Sequence, residues 1–273
     1  MYPNVLPFFL FHNNAITMKI KFNINDNEFS ANLGLALDIS IPLSVDQKHT
    51  RAWYVEPMVI EPVRTEQFVG SVEEGGSVNF RNIFFNPHGH GTHTECVGHI
   101  DKTVHSVNQS LKSFFSLAAL LSVSPIALES DREWMKKGDS VITPDFLNSF
   151  PKNLGIQSLV IRTLPNTDEK LLKNYSSSNP PYLLPETMER IVELGIKHLL
   201  IDLPSVDRES DDGRLRCHHI FWEHPQRTQM DKTITEFIYV TEEIKDAVYL
   251  LELQVAPIEN DASPSRPVLY AVS

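Results

Sequence analysis

The sequence predicts an α/β fold, because apolar segments typical of strands are interspersed with segments typical of helices along the whole chain. Short runs rich in apolar and β-branched residues predict strands, and they lie at 35–41, 158–163, 198–203, 247–255 and 267–272. The chain shows neither an internal repeat nor a break in composition between these runs. We therefore expect one domain.

Helix signals lie between some of the predicted strands. At 107–121 apolar residues recur at helical spacing, which predicts an amphipathic helix. The segment 185–194 starts with a proline and an acid, and Gly195 follows it, as at many helix ends. Thr143 and Pro144 indicate a further helix start.

Composition narrows the class of partner. The formal net charge is −11 and no run is rich in Lys or Arg, which argues against nucleic acid or an anionic membrane. No stretch approaches the roughly 20 apolar residues that span a bilayer. A small molecule is the partner that remains.

The first 17 residues contain an apolar run at 5–11, but they lack a basic segment and a small-residue cleavage site. We interpret 1–17 as an N-terminal extension, either a disordered tail or sequence upstream of a true start at Met18, and 18–273 as the domain. Two cysteines, Cys96 and Cys217, provide no disulfide framework, which favours a cytoplasmic protein.

Histidines cluster in one short segment. Five of the eleven fall within 88–105, and imidazole is the commonest protein ligand for divalent metals. In an extended segment His93 and Glu95 point to the same face, so both can reach one ion. His88 or His90 would complete two imidazoles and a carboxylate, a set that leaves coordination positions open for catalysis. The alternative is an exposed loop that binds metal adventitiously.

Several segments resemble one family. The run 91–99 resembles the signature His-x-Gly-Thr-His-x-Asp-x-Pro-x-His of the cyclase-like metal-dependent hydrolases, which include bacterial kynurenine formamidases and isatin hydrolases. Further blocks match in the family's order at 38–43, 141–147, 159–163, 200–207 and 261–269. The resemblance implies a swivelling β/β/α fold with a mixed sheet or barrel-like core, a homodimer or higher homo-oligomer, and one or two Zn or Mn ions per chain.

The resemblance also assigns metal ligands. Glu95 stands where the family has Asp, and Val97 stands where it has Pro. The family's first histidine aligns with Gly89, so a one-residue shift to His88 is needed, with His90 as the alternative. The implied ligands are His88, His93, Glu95, His218 and Glu236, with His219 as the alternative to His218, and Glu242 and Glu243 as competitors of Glu236.

The implied reaction is hydrolysis of an amide. A bound metal would lower the pKa of its water toward about 7, and His99 would shuttle the proton. Trp53 follows the opening strand and is the implied pocket aromatic. An N-formyl arylamine is the first substrate class, as in the arylformamidase step of tryptophan catabolism. The alternatives are an isatin-type lactam hydrolase and a non-catalytic metal- or ligand-binding protein. A serine hydrolase is disfavoured, since the chain has no Gly-x-Ser-x-Gly motif.

Overall fold

The computed structural model describes residues 17–45 and 49–273. It confirms the predicted mixed α/β fold, which is organised around a nine-stranded mixed sheet. Most of the predicted N-terminal extension, residues 1–16, lies outside the described residues. The division at residue 18 therefore stays a prediction.

The described chain forms eighteen strands, three α-helices and three 3-10 helices. The strands are β1 (Lys19–Ile24), β2 (Asn27–Asn32), β3 (Leu37–Asp38), β4 (Val59–Pro62), β5 (Arg64–Thr65), β6 (Phe68–Val69), β7 (Arg81–Phe84), β8 (His93–Glu95), β9 (Phe115–Val123), β10 (Ile126–Ala127), β11 (Ser140–Ile142), β12 (Ser158–Thr163), β13 (Tyr182–Leu183), β14 (His198–Ile201), β15 (Thr233–Glu236), β16 (Val248–Glu252), β17 (Ala262–Pro264) and β18 (Val268–Ala271). The α-helices are α1 (Val107–Ser110), α2 (Pro185–Glu193) and α3 (Arg216–Trp222), and the 3-10 helices are Val97–His99, Pro144–Ser149 and Asp168–Leu171.

The nine strands of the main sheet run in the order β17-β8-β15-β14-β12-β9-β16-β18-β3. The four central strands, β15, β14, β12 and β9, pair in parallel, and the outer ones pair antiparallel. Parallel strands covered on both faces are continuously apolar, and every residue of β12 and β14 is buried. Two separate hydrophobic clusters take up alternate residues of these strands, so the centre of the sheet is the core.

The helix predicted at 107–121 is wrong for most of its length. Only Val107–Ser110 is helical, and Phe115–Val123 is strand β9 in the centre of the sheet. The run from Ser116 to Leu121 is buried without a break. A short, continuously apolar run is typical of a strand covered on both faces, and periodicity alone does not distinguish it from a buried helix.

The other predicted elements lie close to their expected places. Strand β12 has the predicted bounds, and β14, β16 and β18 lie inside the predicted runs. Helix α2 starts at Pro185, and the chain leaves it through Gly195 at φ +75°, a left-handed conformation that glycine adopts without strain.

Among the described residues, none of the helices has the length and apolar character needed to cross a membrane.

A ribbon of short strands projects between β3 and β8. Strands β4 and β7 pair antiparallel, and β5 pairs with β6 at the tip. We call residues 59–84 the arm. Seven of its large apolar side chains are exposed, and they are Val59, Phe68, Val72, Val78, Phe80, Ile83 and Phe84. The arm ends four residues before His88, so it connects directly to the histidine segment.

Candidate metal centre

Strand β8 is the scaffold of the site. It is only three residues long, and it lies between β15 and β17 near one edge of the main sheet. His93 pairs in register with Glu236 of β15, and Glu95 pairs with Ala262 of β17. Because side chains alternate along a strand, His93 and Glu95 share one face, as the sequence predicted. Nε2 of His93 lies 3.5 Å from Oε2 of Glu236.

The turn before β8 requires a glycine. Gly91 has φ +63°, and a Cβ atom there would lie 2.6 Å from a methyl carbon of Leu43. The next residue, Thr92, donates its hydroxyl to the carbonyl oxygen of Phe237 and accepts the N–H of Ile41. These contacts fix the chain on both sides immediately before His93.

Glu95 is the centre of the cluster. Its Oε2 lies 3.1 Å from Nδ1 of His88 and 3.8 Å from Nδ1 of His99, and its Oε1 lies 3.2 Å from Nε2 of His218. The side chain is 1% exposed. A buried carboxylate is stable only when it is paired or ligates a cation, and three imidazoles converge on this one.

Helix α3 supplies His218, and Asp207 orients it. Nδ1 of His218 donates to Oδ2 of Asp207 at 2.6 Å. The same carboxylate accepts the backbone N–H groups of Cys217 and His218 at 2.8 and 3.1 Å. Fixing Nδ1 in this way directs Nε2 toward Glu95, and it is the arrangement in which a carboxylate orients a ligating histidine.

Asp261 plays a similar part on the outer side. Its Oδ2 lies 2.8 Å from Nε2 of His88 and 3.5 Å from Nδ1 of His99. The rings of His88 and His99 lie 4.3 Å apart. Sequence reasoning gave no role to Asp261 or to Asp207, although both lie in blocks that match the family. The signal available in the sequence was their position, because Asp207 ends the block 200–207 and Asp261 starts the block 261–269.

Burial and opposite charge perturb the ionisation of the cluster. Although burial favours the neutral form of His88, hydrogen bonds to Asp261 and Glu95 raise its pKa to about 10. Burial opposes the ionisation of Glu95, yet the charge of His99 and the hydrogen bond from His218 hold its pKa well below the usual range. Burial and the nearby charge of Glu95 raise the pKa of Glu236. The cluster therefore retains protons that a cation would displace.

The residues present fit a divalent cation. Three overlapping sets each place three ligand atoms within 4.8 Å of one another, and they are His88/His93/Glu95, Glu95/His99/His218 and His88/His99/Asp261. Nε2 of His93 and Oε1 of Glu236 are buried and make no hydrogen bond among the described residues. Buried polar atoms normally have partners, and imidazole nitrogen with carboxylate oxygen is a donor set suited to Zn and Mn.

The alternative ligands lie elsewhere. Both ring nitrogens of His90 are occupied, since Nε2 lies 2.7 Å from the carbonyl oxygen of Glu56 and Nδ1 accepts the N–H of Asn86 at 2.8 Å. His219 faces His224, with its Nδ1 3.2 Å from that residue's carbonyl oxygen. The competitors of Glu236, residues 242 and 243, are exposed. The geometry therefore favours His88, His218 and Glu236.

Trp53 is connected to the candidate ligands through Phe237. It is half-buried and packs against a small apolar cluster that includes Tyr175 and Phe237. The ring of Phe237 lies 5.9 Å from that of His93. This position is compatible with a pocket wall, and the role of Trp53 stays a prediction.

The cysteines take no part in the cluster. Cys96 and Cys217 are free and buried, and each thiol lies against a backbone carbonyl oxygen, of His105 and Leu183 respectively. Burial raises the pKa of both thiols. Each therefore behaves as a small apolar side chain next to a candidate ligand.

The main sheet brings buried imidazoles and carboxylates together in a set that could hold a metal ion, and comparison with known proteins identifies the family. Residues 37–208 match the family described as putative cyclase. The chain belongs to this family, and it is a hydrolase. The matched range contains His88, His93, Glu95 and His99, whereas His218, Glu236 and Asp261 follow it.

Individual relatives agree with this assignment. The chain is 27% identical over 204 residues to a kynurenine formamidase of Bacillus cereus, which covers 74% of this chain and 85% of that protein. It is 26% identical over 200 residues to a kynurenine formamidase of Bacillus cytotoxicus, and the match covers 72% of this chain and 82% of that protein. An isatin hydrolase A from Ralstonia solanacearum has the same fold, with a TM-score of 0.60 at 14% identity over 86% of this chain and 91% of that one.

Proposed function

We propose that the protein is a metal-dependent amide hydrolase that cleaves an N-formyl arylamine, with N-formylkynurenine as substrate and kynurenine and formate as products. The observation that carries the proposal is the convergence of His88, His93, Glu95, His218 and Glu236. Within the part of the chain that the structure describes, buried ligand atoms of His93 and Glu236 lack hydrogen-bond partners. The names of the two Bacillus relatives support the substrate class.

The five converging residues would hold one or two Zn or Mn ions. Bound there, a divalent cation would supply water activation and would polarise the substrate carbonyl. The carboxylate of Glu95 faces three imidazoles through its two oxygen atoms, so it would be the central ligand of the site. The carboxylates of Asp207 and Asp261 would accept hydrogen bonds from His218 and His88 and so orient the two rings.

His99 is the proposed proton shuttle. Its side chain is 29% exposed, whereas those of His93 and His218 are buried, so it is accessible to a substrate. It would accept a proton as water adds to the formyl carbon and would return that proton to the nitrogen as the C–N bond breaks. Asp261, 3.5 Å from Nδ1, would hold the ring with Nε2 toward the substrate.

A lactam hydrolase of the isatin type is the second candidate. It would use the same centre, because the lactam of isatin is also an aryl amide, but ring opening would leave both parts in one product. The isatin hydrolase structures support this candidate through their fold. A third candidate, a non-catalytic metal- or ligand-binding protein, is raised by Glu95 and Val97 at positions where the family has Asp and Pro.

Assays of metal-loaded protein test these candidates. After growth with added Zn or Mn, we expect about one or two equivalents of metal per chain. We expect hydrolysis of N-formylkynurenine to exceed that of isatin. His99→Ala should retain the metal but lower kcat by about 10²–10⁴-fold. His105→Ala is the matched control, because His105 pairs with Asp101 instead, and it should keep full activity.

Three results would contradict the proposal. Protein that stays free of metal after supplementation would exclude both hydrolase candidates. Protein that binds metal but cleaves neither compound would favour the binding protein. Unchanged hydrolysis by His99→Ala would remove His99 from the reaction.

We also propose that the protein is cytoplasmic and forms a homodimer. The buried free cysteines fit a reducing compartment. The exposed apolar side chains of the arm favour a second copy as partner, since apolar patches of this kind mark interfaces. Light scattering should give twice the chain mass of 31.0 kDa, and Ile83→Asp should reduce it to one chain. A monomeric wild type would refute the dimer.

A further inference from the structure

Four non-glycine residues with left-handed backbone lie together near the candidate site. Trp53 and Tyr54 are consecutive, with φ +62° and +57°, and Ser177 and Asn179 follow from a second loop, with φ +61° and +43°. Each such residue costs on the order of 1–3 kcal/mol, and such residues persist where surrounding contacts determine the conformation. Left-handed residues of this kind cluster at functional sites.

One carboxylate binds three of these four residues. Oε1 of Glu209 accepts the N–H of Ser177 at 2.5 Å and the hydroxyl of Tyr54 at 3.2 Å. Its Oε2 accepts the N–H of Asn179 at 2.7 Å. The two loops also contact each other directly, since Tyr54 donates its N–H to Oγ of Ser176 at 2.9 Å. Glu209 therefore joins both loops in one arrangement.

The joined loops stand beside the metal centre. Ala52 donates its N–H to the carbonyl oxygen of Gly89 at 3.1 Å, and a Cβ at Gly89 would lie 2.7 Å from a methyl carbon of Val55. The turn at 52–55 thus packs directly on the residue that follows His88. Glu209 is also close in sequence to the site, since it lies two residues after Asp207, the aspartate that orients His218.

We propose that Glu209 is a positioning residue that fixes the Trp53–Tyr54 turn and the loop 176–179 as one wall of the substrate pocket. The proposal deepens the proposed function and rests on it. Trp53 would then present its ring to an aromatic substrate, an arrangement suited to an aryl amide. The hydrogen bonds of Glu209 go to Tyr54, Ser177 and Asn179 and not to the candidate ligands, so its loss should affect substrate binding more than the chemical step.

Glu209→Gln is the sharpest perturbation. An amide has one acceptor oxygen, so its NH₂ group would face either Asn179 N–H or the pair from Ser177 and Tyr54. We expect KM for N-formylkynurenine to rise by about tenfold with kcat and metal content unchanged, because a hydrogen bond to a charged group is lost. Amide exchange at 176–179 should accelerate by about tenfold or more.

Two further variants make the test specific. Tyr54→Phe removes the long hydrogen bonds of the hydroxyl with Glu209 and with Oγ of Ser177 but keeps both backbone contacts of Glu209, and it should give a smaller rise in KM with normal folding. Glu129→Gln changes an exposed carboxylate elsewhere and should match the wild type in every measurement. Faster exchange with an unchanged KM would show that the loops are held but form no pocket wall, and would overturn the proposal.

The exchange measurement separates this proposal from the proposed function. Unchanged exchange in Glu209→Gln would overturn the role of Glu209 whatever the substrate is. Suppose instead that the wild type hydrolyses no amide and that exchange is faster in Glu209→Gln. That pair of results would overturn both the proposed function and the pocket wall, but it would still support the conclusion that Glu209 fixes both loops.

Discussion

Asp207→Asn tests how the protein prepares His218 for a metal. The carboxylate of Asp207 accepts three hydrogens, from the backbone of Cys217 and His218 and from Nδ1 of His218. An asparagine can keep its oxygen toward His218, which turns its NH₂ group against the N–H of Cys217. The reverse orientation turns the NH₂ group toward Nδ1, which then accepts the hydrogen bond and leaves the proton on Nε2.

Each orientation has a measurable consequence. Both leave the NH₂ group facing a buried backbone N–H, that of Cys217 in the first and that of His218 in the second, at a cost of about 1–3 kcal/mol in stability. The second protonates Nε2, the nitrogen that faces Glu95, so a metal would have to displace that proton. Loss of an orienting carboxylate typically lowers metal affinity by about 10–100-fold, which corresponds to about 1.4–2.7 kcal/mol. We expect an effect of this size on zinc affinity.

The assay is zinc titration against a chromophoric chelator, alongside thermal unfolding of the metal-free protein. Asp139→Asn is the matched control. Asp139 is also buried and accepts hydrogen bonds from Tyr182 and Arg208 at 2.8 Å, but it contacts none of the candidate ligands. It should lose stability and keep its zinc affinity. Equal zinc affinity in Asp207→Asn and the wild type would refute the orienting role.

Three further predictions concern other histidines and Asp261. His88→Ala should remove about one equivalent of zinc or lower its affinity by at least tenfold, whereas His90→Ala should keep the metal and lose stability, as metal analysis and thermal unfolding would show. Asp261→Asn should lower zinc affinity less than His88→Ala does, because it removes an orienting acceptor and no ligand; equal losses would make Asp261 a ligand. Burial and Lys197 lower the pKa of His198 to about 4, so its protonation between pH 6.5 and 4 favours the unfolded chain by up to about 3 kcal/mol. His198→Asn should flatten the fall in stability over that range, and an unchanged slope would contradict it.

The local sequence pattern was informative about the scaffold of the site. Alternation predicted a shared face for His93 and Glu95, and strand β8 has them on one face opposite Glu236. The spacing of apolar residues was misleading at 107–121, because a strand covered on both faces lacks the alternation of apolar and polar residues that identifies other strands. Runs such as 158–163, which are rich in β-branched residues, avoided that ambiguity.

The choice between the neighbouring histidines His88 and His90 depends on contacts with residues that are distant in the sequence. The family signature aligns Gly89 with its first histidine, and the sequence favoured His88 over His90 only because Asn-Pro-His resembles the family's Pro-His context. The structure adds a physical reason for the same preference, since the backbone groups of Glu56 and Asn86 occupy the ring nitrogens of His90. The roles of Asp207 and Asp261 were missed for a related reason: an orienting carboxylate is defined by the atom it faces, and no sequence spacing encodes that.

The contact between His88 and Asp261 joins residues 173 positions apart, and β17, which follows Asp261, flanks the strand that carries His93. During synthesis the histidine segment emerges long before this flank exists, and contacts so distant along a chain form slowly. A nascent polypeptide would therefore hold its imidazoles without a finished cage until Asp261 and β17 have been synthesised. Capture of the ion should follow that step, and fragments ending before β17 should bind it weakly.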